Sequence, residues 1–492
     1  EAAAEMVYWQ DIPSDNTYVS PFKKPNEKQY ITFESDHGGW NNIRMAMETV
    51  LTMATAMGRT LVLPPEQPMY LLHKNRGHEG GRQRKDFSFA HFFHMESIAE
   101  EHVGLEVISM EEFLRREGTQ GNLKDPDGNV VFPPQNRTEW DGQSHSYISG
   151  GLESYLRKVG VVPNWNPEKC MAAFPSTKDP KDTQALYDIK TYIDKNGGFP
   201  YWEKFVGKPT PVDGPPAERM KENWAGREGG LCVYNETLQE AKLLHFTHGD
   251  RDNGVGARLL VHFYAFLFFE DWKQDLWMKR FVRDHVRYID EIQCAAARVV
   301  DALHKRAKRR HPETNPSGAY DAFHIRRGDF QYTVTRFDAP KIIKNSEKEL
   351  TPNATLYIAT DEQDREFFAP FRELYDVVFL DDFRHLLEDV NTNYYGMIDQ
   401  LVASRSRIFF GCWFSTFTGY INRLRGYHAN NDKTAGYEQG VVPSYYYALE
   451  DRHFHMQTFY PVKRSFYARE FPASWRLIDK GIGELQHLTA TS

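Results

Sequence analysis

The chain has 492 residues, is 40% apolar and 14% aromatic, and carries a formal net charge of −8. This length exceeds one ordinary core and predicts two domains. The mildly acidic balance argues against a nucleic-acid partner. The longest apolar run, residues 259–269, is interrupted by His262 and is too short to span a bilayer.

Residues 1–28 are polar, carry Pro13, Pro21 and Pro25, and are expected to form an arm on the surface. The chain starts at Glu1 without a methionine, which suggests a removed leader or anchor. Tyr30 to Phe33 predicts a strand. Asn41 or Asn42 can cap a helix from Ile43 to Met57, which Gly58 would stop. Thr60 to Leu63 predicts the next strand, closed by Pro64 and Pro65. Strand, loop, helix and strand make a βαβ unit. Its loop, Gly38-Gly39-Trp40-Asn41-Asn42, sits where a nucleotide-binding fold faces phosphate. A tight turn would need the same glycines without a ligand, and neither the three-glycine dinucleotide fingerprint nor a phosphate-loop lysine is present.

Residues 66–240 are rich in Gly, Pro, Asn, Asp and charge, and read as long insertions on the first domain, suited to holding an acceptor. Asp125-Pro-Asp127 and Asp250-Arg-Asp252 have the Asp-x-Asp spacing of a sugar-transferase metal motif. Both stand in turn contexts without a preceding apolar strand, which favours plain turns. Residues 257–305 read as helical and as the bridge into the second domain. The basic run from Lys305 to Arg310 suits a solvated helix end.

The second half repeats the alternation. Ala322 to Ile325 predicts a buried strand that runs into Arg326, Arg327, Gly328 and Asp329. In a doubly wound sheet, ligands sit beyond the carboxyl ends of strands. Arg326 is therefore placed to hold a diphosphate, or to pair with Asp329 or another carboxylate. Thr355 to Ala359 is a second strand, with Asp361 just beyond it. Val377 to Leu380 is a third, a helix follows from Tyr395 to Ala403, and Ile408 to Phe410 is a fourth strand. Ser415 and Thr416 then open a helix through Leu424, where they can cap it or bind phosphate.

Cys170, Cys232, Cys294 and Cys412 form no Cys-x-x-Cys pair, so a structural zinc is not expected. They allow up to two disulfides or buried thiols. Sequons begin at Asn136, Asn235 and Asn353 and point to the lumen of the endoplasmic reticulum or Golgi.

Several segments, which follow one another in family order, resemble one family. His324-x-Arg326-Arg327-x-Asp329 resembles the His-x-Arg-Arg-x-Asp motif of protein O-fucosyltransferases and α1,6-fucosyltransferases. Gly38 to Asn41 and Gly58 to Pro65 resemble the Gly-x-x-Asn loop and the following Arg-Thr-Leu strand. Gly411 to Thr418 resembles a later Gly…Ser-Ser/Thr-Phe segment. The resemblance spans residues 30–65 and 320–425. It implies an α/β, GT-B glycosyltransferase with two Rossmann-like domains facing across a cleft, at 29–275 (acceptor side) and 276–492 (donor side).

The implied reaction is inverting transfer of fucose from GDP-fucose to a hydroxyl of a protein or glycan acceptor, without metal or other cofactor. By residue, Arg326 would neutralise the leaving diphosphate and His324 would lie near the nucleotide. Ser415, Thr416 and Phe417 would line phosphates and base, and Asp399 would read guanine. Asn41 would orient the diphosphate or sugar, with Gly38, Gly39, Trp40, Asn42, Asp329 and Asp361 as further binding candidates. One subgroup carries a glutamate three residues before the loop asparagine, and here that position is Gly38. Asp36 or His37 is expected to serve as base instead, unless Asp36 only caps the turn and His37 is loop surface. A different sugar donor and a catalytically silent binding module remain open alternatives.

Overall fold

A computed structural model describes residues 2–36, 38–67, 69, 72, 87–136, 138, 151–199, 210–224, 230–248, 256–448 and 470–483. The chain divides into two compact units: residues 11–287 with 461–467 and 479–492, and residues 288–460 with 1–10 and 468–478.

The first unit opens with β1 (Tyr30–Phe33), the helix Trp40–Met57 and β2 (Thr60–Leu63). Both strands match their expected bounds. The helix starts at Trp40, so Asn41 and Asn42 lie inside its first turn, and Gly39 is the N-cap without a side-chain bond. The helix is apolar around most of its circumference and is buried almost throughout. Several of its buried polar groups bond within the helix. Arg44 pairs with Glu48 at 2.8 Å, and the Thr49, Thr52 and Thr55 hydroxyls donate to carbonyls one turn back. Arg59, buried after the helix, donates to the carbonyls of Tyr30, Leu238, Gln239 and Ala241, tying β1 to the approach of a later strand.

β3 (Val107–Ser109), β4 (Met171–Phe174), β5 (Leu231–Val233), β6 (Leu243–Phe246) and β7 (Leu267–Phe269) follow. They form two parallel sheets, ordered β3-β2-β1-β6 and β5-β4-β7. The second sheet differs from the reading of 66–240 as decoration. The apolar stretch from Arg258 to Phe269 likewise ends in a strand rather than running as helix. Cys170 and Cys232 form a disulfide beside β4 and β5, Cys412 is a buried thiol and Cys294 an exposed one. The expected surface arm is also corrected: Met6, Tyr8, Tyr18 and Phe22 are buried, because large apolar side chains spaced along this segment reach the cores.

The second unit builds one parallel sheet from β8 (Asp321–Ile325), β9 (Thr355–Thr360), β10 (Asp376–Val378), β11 (Phe409–Gly411) and β12 (Ser444–Tyr446), ordered β10-β9-β8-β11-β12. From the first strand the order runs outward one way, then reverses between β8 and β11. That reversal is the switch point at which α/β sheets take ligands. Helices Asp290–Arg310, Tyr395–Ser404 and Thr416–Asn431 cover the sheet. The basic run at the end of the first is engaged: Arg306 grips Asp376 at 2.6 and 2.7 Å, and Lys305 pairs with Asp301. Among the described residues no helix is long and apolar enough to cross a membrane.

Candidate functional site

Two strand-end crevices carry the candidate residues, one in each unit. In the second unit β8 delivers His324 and Arg326 to the switch point. His324 is buried, stacks on Phe417 with ring centroids 4.4 Å apart, and lies 2.7 Å from the Thr418 hydroxyl. That hydroxyl also accepts the Cys412 N–H at 2.9 Å. Burial, with the Arg326 charge beside it, pulls His324 down to about 3, so it is neutral at physiological pH.

Arg326 forms ion pairs with Asp361 and, at 2.8 Å, with Asp329. The guanidinium also lies 5.6 Å from the Phe330 ring centre. Asp361 in turn accepts the backbone N–H groups of Arg327 and Gly328. A Cβ on Gly328 would fall 2.3 Å from the Asp361 carboxylate, so only glycine permits this approach. Arg327 faces elsewhere, onto Glu362 and the Phe367 ring.

Across the switch point, Ser415 is the N-cap of the Thr416–Asn431 helix, but its side chain makes no capping bond. The hydroxyls of Ser415 and Thr416 therefore stand beside the N–H groups of a helix start, which favour an anion. Asp399 projects from the neighbouring helix and takes the Tyr357 hydroxyl. Burial raises its carboxyl; the Tyr357 bond offsets part of this, and the Asp381 charge adds to it. The result is about 7. Gln400, next in that helix, lies 3.4 Å from the Phe417 carbonyl and joins the two helices. Sequence reasoning did not single out Tyr357 or Thr418 as site residues. Thr418 stands in the Ser-Thr-Phe-Thr run, whereas Tyr357 sits in a strand that reads as pure core.

In the first unit, Glu34 and Asp36 follow β1. Arg157 grips both oxygens of Glu34 at 2.6 and 2.7 Å, His245 Nε2 lies 3.2 Å away, and the His248 N–H donates at 2.8 Å. Burial raises the Glu34 carboxyl, but the contacts with His245, Arg157 and His248 outweigh it and hold it at about 2. Asp36 is buried, held by two nitrogens of Arg258, and accepts the Gly38 N–H at 2.6 Å. Both of its oxygens are thus engaged, and the Gly38 bond is the turn cap that stood as the alternative to its role as base. His37 lies outside the described residues.

A Cβ on Gly38 would crowd Asn42, Asp36 and Arg258 at 2.6 to 2.8 Å, so the glycine there serves close packing of the loop. Gly39 ends the loop as N-cap. Asn41 is buried and Asn42 half-buried in the first helical turn. Trp40 packs against Phe92 and Phe93, with ring centroids 4.1 and 5.7 Å away, and so belongs to the core. Asp125 accepts the N–H groups of Asp127 and Asn129, as a plain turn does, and Asp250 and Asp252 lie outside the described residues.

The family model for GDP-fucose protein O-fucosyltransferase matches residues 30–428. The chain belongs to that family. As a member of the GDP-fucose protein O-fucosyltransferase family it is a glycosyltransferase. Among solved structures it is similar to POFUT1 in complex with GDP, at 14% identity over 87% of this chain and 100% of that one, with a TM-score of 0.35. It is also similar to the fucosyltransferase NodZ from Bradyrhizobium, at 15% identity over 81% of this chain and 94% of that one, with a TM-score of 0.33. No curated protein sequence matches it.

Proposed function

We propose that this protein transfers fucose from GDP-fucose, with inversion and without a metal, to a hydroxyl of a protein Ser/Thr or a glycan. The observation that carries the donor half is the switch point of the second sheet. There an arginine at the end of β8 and the N–H groups of a helix start after β11 stand at the strand-order reversal, where they can donate to an anion. Loss of GDP leaves negative charge on the diphosphate. Arg326 and the N–H groups of the Thr416–Asn431 helix stabilise that charge by preorganised electrostatics, with the Ser415 and Thr416 hydroxyls as further donors. His324, held neutral, supports the nucleotide by packing and hydrogen bonding. Ionised Asp399 accepts two N–H bonds from the guanine edge.

The disulfide between Cys170 and Cys232 favours an oxidising compartment and supports a lumenal location. The test of donor class is a calorimetric panel of GDP-fucose, GDP-mannose, UDP-sugars and CMP-sugars in chelator. Selective binding of GDP-fucose is expected. Equal binding of a UDP-sugar would remove the guanine role of Asp399, and absence of all binding would favour a silent module.

A further inference from the structure

The turn after β8 does more than carry Arg326. Residues 328–336 reach from the end of β8 to the end of β11, within the second unit. The Tyr332 ring stacks on Phe414, which follows β11, with centroids 4.6 Å apart. Phe330 meets Tyr332 edge to face at 5.2 Å, and its ring centre lies 5.6 Å from the Arg326 guanidinium. The turn is pinned at its far end. The Cys412 thiol donates to the buried Thr335 hydroxyl at 3.5 Å, and Arg336 donates to the Phe330 carbonyl at 3.0 Å. An aromatic row of Phe330, Tyr332 and Phe414 therefore spans the reversal of strand order, and all three residues are half-buried.

Position along β8 orders these groups. His324 lies inside the strand and stacks on Phe417 at 4.4 Å, whereas Arg326 stands just past its end, beside Phe330. On the fucose-transfer reading above, the base lies toward Phe417 and Asp399 and the diphosphate at Arg326. The sugar then continues outward from the diphosphate, where the aromatic row stands. We propose that Phe330, Tyr332 and Phe414 form the sugar subsite of the donor and select a 6-deoxy sugar by packing its C6 methyl group against the rings. The inference rests on that reading and adds the part of the donor that the row recognises.

The chemistry suits the rings. Aromatic side chains offer large, rigid apolar faces, and ligand sites combine such faces with a few placed polar groups, here Arg326 and the helix start. L-Fucose is L-galactose without its C6 hydroxyl. A hydroxyl pressed against ring faces gives up water without full replacement, whereas a methyl group gains by leaving water. A wall of this kind separates two such sugars by about 10- to 100-fold. Because contacts at both strand ends already hold the turn, little ordering is left for the sugar to impose.

The test is calorimetry of the full chain with GDP, GDP-fucose and GDP-L-galactose. The wild-type protein should bind GDP-fucose about 10- to 100-fold more tightly than GDP-L-galactose. Tyr332→Ala and Phe414→Ala should each bring that ratio to within about threefold, while the Kd for GDP alone stays within about twofold of wild type. A wild-type protein that binds both sugar nucleotides equally overturns the inference, and so does an undiminished ratio in both variants. Parallel loss of GDP and both sugar nucleotides in both variants overturns it too, since that marks a packing role. If the wild-type protein binds no GDP at all, the fucose-transfer reading itself fails. If it binds GDP and GDP-fucose but does not distinguish the C6 group, only the sugar subsite fails.

Discussion

Asp361 and Arg326 are ion-paired, and the same Asp361 carboxylate accepts the N–H groups of Arg327 at 2.7 Å and Gly328 at 2.9 Å. An anion held by a guanidinium and two successive backbone N–H groups is a phosphate-like arrangement. The carboxylate holds the turn after β8 and aims Arg326. Arg326→Ala should weaken GDP-fucose binding by about 100-fold, the loss of two charge-assisted hydrogen bonds. Asp361→Ala frees the charge but leaves two backbone donors unpaired and the arginine loosely held. It should weaken binding by about tenfold rather than improve it. Calorimetry on the two variants checks both values.

Asp399 predicts a pH dependence for the nucleotide. Its free carboxyl titrates at about 7, and only the ionised form can accept two guanine N–H groups. Binding draws the proton off, so affinity is full above that pH. Below it, affinity should fall about tenfold per pH unit. Asp399→Asn should bind GDP weakly and without this slope. A flat GDP affinity between about pH 5 and 8 in the wild-type protein would remove Asp399 from the base site.

Arg423 and Glu470 form a fully buried pair, with contacts of 2.5 to 2.8 Å. Removing one partner strands the other charge without solvent. Glu470→Ala should destabilise the protein by about 3–5 kcal/mol, read as a drop in the denaturation midpoint. Replacing both by apolar residues of similar size should cost far less.

The disulfide closes a loop between positions 62 residues apart. In the chain-entropy account a loop of this size contributes about 4 kcal/mol by restricting the unfolded chain. Replacing Cys170 and Cys232 together by serine should lower chemical stability by about that amount, with GDP binding retained. The residues proposed to hold GDP stand on another sheet, so a loss of GDP affinity at temperatures where the variant is folded would contradict this.

Most of the candidate site in the second unit was legible in sequence because its signals are local. β8 and β9 are short apolar runs that end in charge, and the Ser415-Thr416 pair opens a helix within the same stretch. The helix of residues 40–57 was legible too, but its start was misplaced, because Trp40 is drawn into the core by Phe92 and Phe93. Short apolar runs defeated the reading elsewhere. Leu267 to Phe269 reads equally as helix or strand, and only pairing with β4 decides it. Tyr357 was invisible for a further reason. Its partner, Asp399, is 42 residues away, and topology alone brings the pair together.

The measurement that bears most directly on the central claim is a calorimetric titration of the full chain with GDP-fucose in chelator, run beside Arg326→Ala. Saturable binding without divalent metal, weakened about 100-fold in the variant, is the predicted result. Equal binding by both proteins, or binding only when metal is restored, would contradict it.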